Sequence, residues 1–171
     1  FFEFETGQEV LDNLRWLIAA NYTYTKSEVK VGADDVVFPR TNLGQASPAR
    51  NFILDGTRLQ GQSAHLANAQ FGLETLDGMT QATFLVNYAS QRTTARGQAG
   101  APDFVQKPGI LLDFTLRHKF EAWGQEFTAG IEARNLLGEK FDEFQSRGGD
   151  RINLNTYDLG RSLSISLSAR L

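Results

Sequence analysis

Residues 157–171 constrain this chain most. The odd positions read Tyr157, Leu159, Arg161, Leu163, Ile165, Leu167, Ala169 and Leu171, apolar except for Arg161, and the even positions read Asp158, Gly160, Ser162, Ser164, Ser166, Ser168 and Arg170. Alternation with a period of two places one set of side chains on each face of a β-strand. The strand expected here is about 15 residues long, against about 5–6 for strands of soluble domains.

The same alternation recurs upstream in weaker form. Trp16, Ile18, Ala20, Tyr22 and Tyr24 oppose Asn21, Thr23 and Thr25, with Leu17 and Ala19 blurring the start. Ala67, Ala69, Phe71 and Leu73 oppose Asn68, Gln70, Gly72 and Glu74; Ala82, Phe84, Val86 and Tyr88 oppose Gln81, Thr83, Leu85 and Asn87. Leu112, Phe114, Leu116, His118 and Phe120 oppose Asp113, Thr115, Arg117 and Lys119; Phe127, Ala129, Ile131 and Ala133 oppose Thr128, Gly130, Glu132 and Arg134. With a stub at Phe2, Phe4 and Thr6, seven strands of an antiparallel meander are predicted. Short turns are expected over 7–13, at Asp77-Gly78 as a two-residue hairpin, and over 121–125. The alternate connections, roughly 30–57, 97–107 and 146–154, are longer, and all four prolines lie in them or at their edges.

Several classes of function fall away on composition. A net charge of −3 without any basic run argues against nucleic acid as a partner. The absence of cysteine excludes disulfides, thiolate nucleophiles and Cys-ligated metals. The longest apolar stretch, 16–20, is far below the ~20 residues of a membrane-spanning helix. A mean hydropathy of −0.32 does not exclude a membrane β-barrel, whose lipid-facing and lumen-facing residues alternate and average out. The first residues carry neither a basic nor an apolar segment, so no export signal is read there.

Alternation alone does not say whether the apolar face meets a core or lipid. A ladder of Ser, Asn, Gln, Thr and Gly on the polar face suits a crowded aqueous lumen better than bulk water. Trp16 and Tyr24 stand roughly 26 Å apart along a strand, ~20 Å along the normal at ~40° tilt, near the ~25 Å band flanked by aromatic girdles. The expected girdles are Trp16, Phe120, Trp123 and Phe127 on one rim and Tyr24, Tyr88 and Tyr157 on the other. A soluble sandwich core would use the same aromatics.

The order of short motifs resembles the end of TonB-dependent outer-membrane receptors. Asn135-Leu136-Leu137 closes a strand, Phe141 follows shortly, and Gly160-Arg161 leads the final strand. Phe4-Glu5, Ala20-Asn21-Tyr22-Thr23-Tyr24, Leu59-Gln60-Gly61-Gln62-Ser63 and Asn68-Ala69-Gln70 are also similar to that family, so the resemblance runs over essentially the whole chain. Where the family commonly ends in an aromatic residue, this sequence has Leu171.

The resemblance implies an all-β, antiparallel, up-and-down transmembrane β-barrel wall. Residues 1–171 are expected to be the last seven strands of a barrel of 22, with the plug domain and earlier strands lying outside them. It implies an integral protein of the bacterial outer membrane that imports a scarce solute: a ferric siderophore, haem, cobalamin or a glycan. The implied partners are that small-molecule or iron-chelate ligand, outer-membrane lipid, the barrel-assembly machinery and the TonB–ExbB–ExbD energy-coupling complex acting through the plug. The alternative is a small independent outer-membrane barrel that is structural, a passive pore or a lipid-modifying enzyme. A soluble ligand-binding barrel is a third reading.

No catalytic residue, cofactor or metal site is expected, and no enzyme. His65 and His118 have no Cys or carboxylate at ligand spacing, and the serine ladder is explained by its face. Asp34-Asp35 and Asp142-Glu143 with Asp150 are read as solvated loop charge, since they lack a Ca²⁺-loop spacing. On chemistry alone, Phe38, Arg40, Arg50 and Phe52 of the first long loop are candidate ligand contacts. His65 is either a further contact or a solvated rim residue.

Overall fold

A computed structural model of the chain describes residues 2–4, 14–39, 44–97 and 101–170. Its strands are β1 (Phe2–Phe4), β2 (Leu14–Tyr24), β3 (Val36–Val37), β4 (Ser47–Pro48), β5 (His65–Thr75), β6 (Thr80–Ala89), β7 (Arg92–Ala95), β8 (Phe104–Gln106), β9 (Gly109–Ala122), β10 (Gln125–Arg134), β11 (Lys140–Arg147), β12 (Asp150–Asp158) and β13 (Ser162–Arg170). One 3₁₀ turn, Ala49–Asn51, is the sole helical element among the described residues.

The seven alternating segments form one antiparallel sheet in the order β1-β2-β5-β6-β9-β10-β13. Each new strand pairs with its predecessor in that meander, and the sheet stays open, with β1 and β13 as its edges. Register aligns the periodicity across strands: Ile18, Phe71, Phe84 and Phe114 lie opposite one another in sequence, as do Trp16, Leu73, Ala82, Leu116, Ile131 and Ile165. A one-residue slip at any pair would turn a strand's apolar set to the other face.

The connections at one rim are short. Trp123 and Gly124, both at positive φ (53° and 75°), form a two-residue turn between β9 and β10. The Asp77-Gly78 connection is four residues, 76–79, rather than two. There the Asp77 carboxylate accepts from the Thr75 hydroxyl and the Met79 N–H, and Gly78 alone takes positive φ. These bonds, with that of Thr75 leading, hold the Asp77 carboxyl below its usual range. The turn expected over 7–13 lies outside the described residues.

At the other rim the structure corrects the reading of two segments as loops. Strands β7, β8, β11 and β12 build a second antiparallel sheet, ordered β12-β11-β8-β7. It continues the β6–β9 and β10–β13 hairpins past a break, so the strand expected over 157–171 is two strands in two sheets. The break falls at Leu159-Gly160-Arg161, where Gly160 takes φ 77°. The β2–β5 hairpin also continues: Thr25 N–H donates to Ala64 O (2.9 Å) and Val29 N–H to Thr57 O (2.8 Å). Gly61 N–H then reaches Thr93 O at 2.7 Å, joining this strip to β7.

Candidate functional site

The two faces of the large sheet differ in kind. From β2 to β13, the face containing Trp16, Phe71, Phe84, Phe114, Ile131 and Ile165 carries no Asp, Glu, Lys or Arg; its polar members are His65, Thr75, Thr80, His118 and Gln125. Arg15, Glu74, Asp113, Arg117, Lys119, Glu132 and Arg134 all stand on the opposite face. The apolar face is uncovered: Phe84 is 41% exposed and Ile165 78%. Among the described residues Ala49 and Ala64 are the only buried apolar side chains, and both lie off the sheet. Leu17, on the charged face, is accommodated over Gly72, where an added Cβ would stand 3.2 Å from that of Leu17.

Aromatic rings concentrate toward both rims of the apolar face without being confined there. Phe120 stacks on Phe127 (centroids 5.5 Å apart) and Trp123 meets Phe127 edge-on at 6.0 Å, beside the short turns. Phe84 and Phe114 meet in the middle with ring centroids 4.8 Å apart and planes tilted by 43°. At the far rim Tyr22, Tyr24 and His65 gather, while Tyr157 stands in the second sheet, 4.9 Å from Phe141, instead of in the girdle assigned to it.

The candidate contacts separate. Arg50 and Phe52 meet in an open cleft of about 460 Å³ between the 49–57 segment and the β7–β8 hairpin. Arg96, Asp103, Pro102 and Ser146 complete its walls. Arg50 Nη2 is braced by Ala33 O at 3.0 Å; Arg96 Nη1 pairs with Asp103 Oδ2 at 2.6 Å and its Nη2 donates to Arg58 O. Two guanidinium groups beside Phe52, Ile53 and Leu54 suit non-covalent capture of a solute with both apolar and acceptor groups. Phe38 is exposed and outside that cleft, and Arg40 lies outside the described residues. His65 begins β5 on the apolar face, its Nδ1 2.7 Å from Tyr22 Oη, so it lines no part of the cleft. Arg96 and Asp103 were invisible to residue patterning because they flank a connection whose hairpin partner had no alternation to reveal it.

The junction between the sheets is held by a cluster of hydrogen bonds around Asn135. Asn135, at φ 54° and 6% exposed, donates from Nδ2 to Glu139 O (3.0 Å) and Gly160 O (2.8 Å). Its Oδ1 accepts Glu139 N–H and its own N–H reaches Asp113 Oδ1, both at 2.8 Å. The motif residues Asn135 and Gly160 are thereby brought into direct contact. His118, on the apolar face near the short turns, lies 2.8 Å from Thr80 Oγ1 through Nδ1 and stacks on Phe120.

Among the described residues no group of His, Asp and Glu is placed to hold a metal ion, and no helix is long and apolar enough to cross a membrane, a criterion silent about strands. Comparison with known proteins finds no matching family model, no matching curated protein and no matching solved structure.

Proposed function

We propose that this chain is wall from the barrel of a TonB-dependent outer-membrane receptor, which imports a scarce solute at the expense of inner-membrane energy. The observation that carries the reading is the uncharged, uncovered face running through the large sheet from β2 to β13. A soluble domain of this size gains its stability by burying such a face. Among the described residues no second layer covers it, and a hydrocarbon environment is the solvent that removes the penalty. The opposite face, with all the charge of the spanning strands, lines the inside.

Asymmetric connections support the same reading: short turns at one rim, sheet-forming extensions at the other. The extensions and the Arg50–Phe52–Arg96 cleft are the exterior capture surface for a ferric siderophore, haem, cobalamin or glycan. The plug and its contact with the TonB–ExbB–ExbD complex belong to chain beyond these residues, as do the strands that complete the barrel. The role is transport by binding and release, with no covalent chemistry.

The test is the intact mass of the native polypeptide containing Asn135-Leu136-Leu137, purified from an outer-membrane fraction. A chain several times heavier than 19.0 kDa is expected. A mature 19.0 kDa chain would sink the receptor reading in favour of a small independent barrel. Recovery in detergent-free supernatant would sink both.

A further inference from the structure

Asp-Gly occurs twice in the chain, each time after a leucine: Leu54-Asp55-Gly56 and Leu76-Asp77-Gly78. The pair has a chemistry of its own, because glycine has no side chain to shield its amide. The glycine nitrogen attacks the aspartate Cγ; a C–N bond forms, and the amide proton departs with the carboxyl hydroxyl as water. Water then opens the five-membered imide. Where it breaks the bond from nitrogen to the former main-chain carbonyl, the product is isoaspartate, whose backbone runs through Cβ and Cγ and is one carbon longer. The step needs a glycine N–H released from its acceptor, and a carboxyl group that is protonated and free to swing over it. Since the two tripeptides are identical, the surrounding fold decides between them.

The N–H groups of Gly78 and Gly56 are engaged alike, by Thr75 O at 2.8 Å and Val29 O at 2.9 Å. The carboxylates differ. Asp77 Oδ1 accepts both the Thr75 hydroxyl (2.5 Å) and the Met79 N–H (2.9 Å), and that hydroxyl is itself fixed by the Thr80 N–H at 2.9 Å. All these partners belong to one hairpin, closed by the β5–β6 pairing that begins at Glu74 and Gln81. The bonds favour the ionised Asp77 carboxylate, which withholds the proton that the leaving oxygen needs. Asp55 Oδ1 accepts a single bond among the described residues, from Val31 N–H at 2.9 Å, and that partner lies 24 residues away in a stretch outside any strand. Asp55 and Gly56 are both exposed. Exposed irregular segments open more often than hairpins between paired strands, and one opening here frees the carboxyl group and the Gly56 N–H together. We infer that Asp55 is the site of spontaneous isoaspartate formation in this chain, and that the β5–β6 turn shields the same tripeptide at Asp77. Leu54 and Thr57, on either side of the reactive pair, line the cleft with Arg50 and Arg96, so conversion lengthens the backbone within a cleft wall and displaces the carboxylate from Val31.

The experiment ages the native full-length polypeptide, in its own membranes, in warm neutral buffer, and electron-transfer fragmentation of its peptides tells isoaspartate from aspartate. Isoaspartate is expected to accumulate at least about tenfold faster at Asp55 than at Asp77, the worth of the extra hydrogen bond to a charged group. In the same chain unfolded in guanidinium chloride the two positions are expected to convert at matched rates. Thr75→Val should raise conversion at Asp77 about tenfold and leave Asp55 unchanged, whereas Thr75→Ser, which keeps the hydroxyl, stays at the wild-type rate. The wild-type ranking tests the inference even where a variant folds poorly. Matched rates in the folded chain, faster conversion at Asp77, or no conversion at Asp55 while the unfolded chain converts overturns the site at Asp55. An unchanged rate at Asp77 in Thr75→Val overturns the shield. A ranking that persists in guanidinium chloride assigns the difference to local sequence and overturns the role of the fold.

Discussion

Asn135 does at one residue what a glycine does with backbone freedom and a side chain does with bonds. Its left-handed φ is tolerated because Asn is among the few non-Gly residues that enter that region readily. Its amide is saturated by Glu139 and Gly160. Asn135→Ala is expected to lower stability by about 2–3 kcal/mol, because buried partners are left unpaired and an unfavourable φ is kept. Asn135→Gly should lose about 1 kcal/mol less, since it relieves the backbone alone. Thermal unfolding of the detergent-solubilised protein, followed by the gel-mobility change of folded β-protein, checks both. The Asn was legible in the sequence as a motif member; its partners were not, since no local pattern announces a bond across the 25 residues that separate it from Gly160.

Glu143 is a second residue with more than local reach. The rung Arg92, Gln106, Glu143, Asn155 crosses all four strands of the second sheet. The Thr94 hydroxyl and then the Asn155 amide hold the Glu143 carboxyl below its ordinary value of 4.5. A folded-state value below the unfolded one means that the ionised group adds stability above the unfolded value, and that this is lost as pH falls through the folded value. The second sheet should therefore loosen below about pH 4.5, and Glu143→Gln should flatten that part of the profile. Hydrogen exchange of β11 and β12 amides, corrected for intrinsic rates, measures it.

Among the elements, the divided strand pair β12 and β13 shows what period-two patterning can and cannot tell. Tyr157, Leu159 and Arg161 keep the odd-position phase of Leu163, so alternation runs on through the kink and conceals it. What breaks the strand is the left-handed Gly160, with nothing within 4 Å of a prospective Cβ. Gly160→Ala should thus cost only the conformational penalty, about 1–2 kcal/mol, without a steric clash, and denaturant unfolding with an unchanged m-value would show that. The turns were read with partial success for a related reason. Asp-Gly carries a strong hairpin signal, yet the Asp77 side chain spans a four-residue loop; the true two-residue turn uses Trp123, 93% exposed, at a φ that Asn or Gly takes more readily.

For the whole molecule, the seven strands and their two faces were legible because alternation and cross-strand register report the same thing. The direction of the apolar face was not legible from alternation; what speaks to it is that no layer covers that face among the described residues. A charge placed on either face separates the possibilities. Phe84→Lys should impair insertion into lipid bilayers by about 2–4 kcal/mol, the depth-dependent cost of a cation on the lipid side of a barrel. Thr115→Lys, on the other face of the neighbouring strand, should insert as wild type. Equal impairment by both, measured by folding into vesicles, would contradict a sheet with one lipid face and one aqueous face.

The shared break at Gly109, Asn135 and Gly160 has an evolutionary consequence. The β6–β9 and β10–β13 hairpins pass from one sheet to the other there, so insertions, deletions and shuffled residues beyond that line leave the registers of the large sheet untouched. On the receptor reading proposed above, a lineage redraws its exterior under pressure from phage, antibodies or a new nutrient while inheriting the same staves beneath.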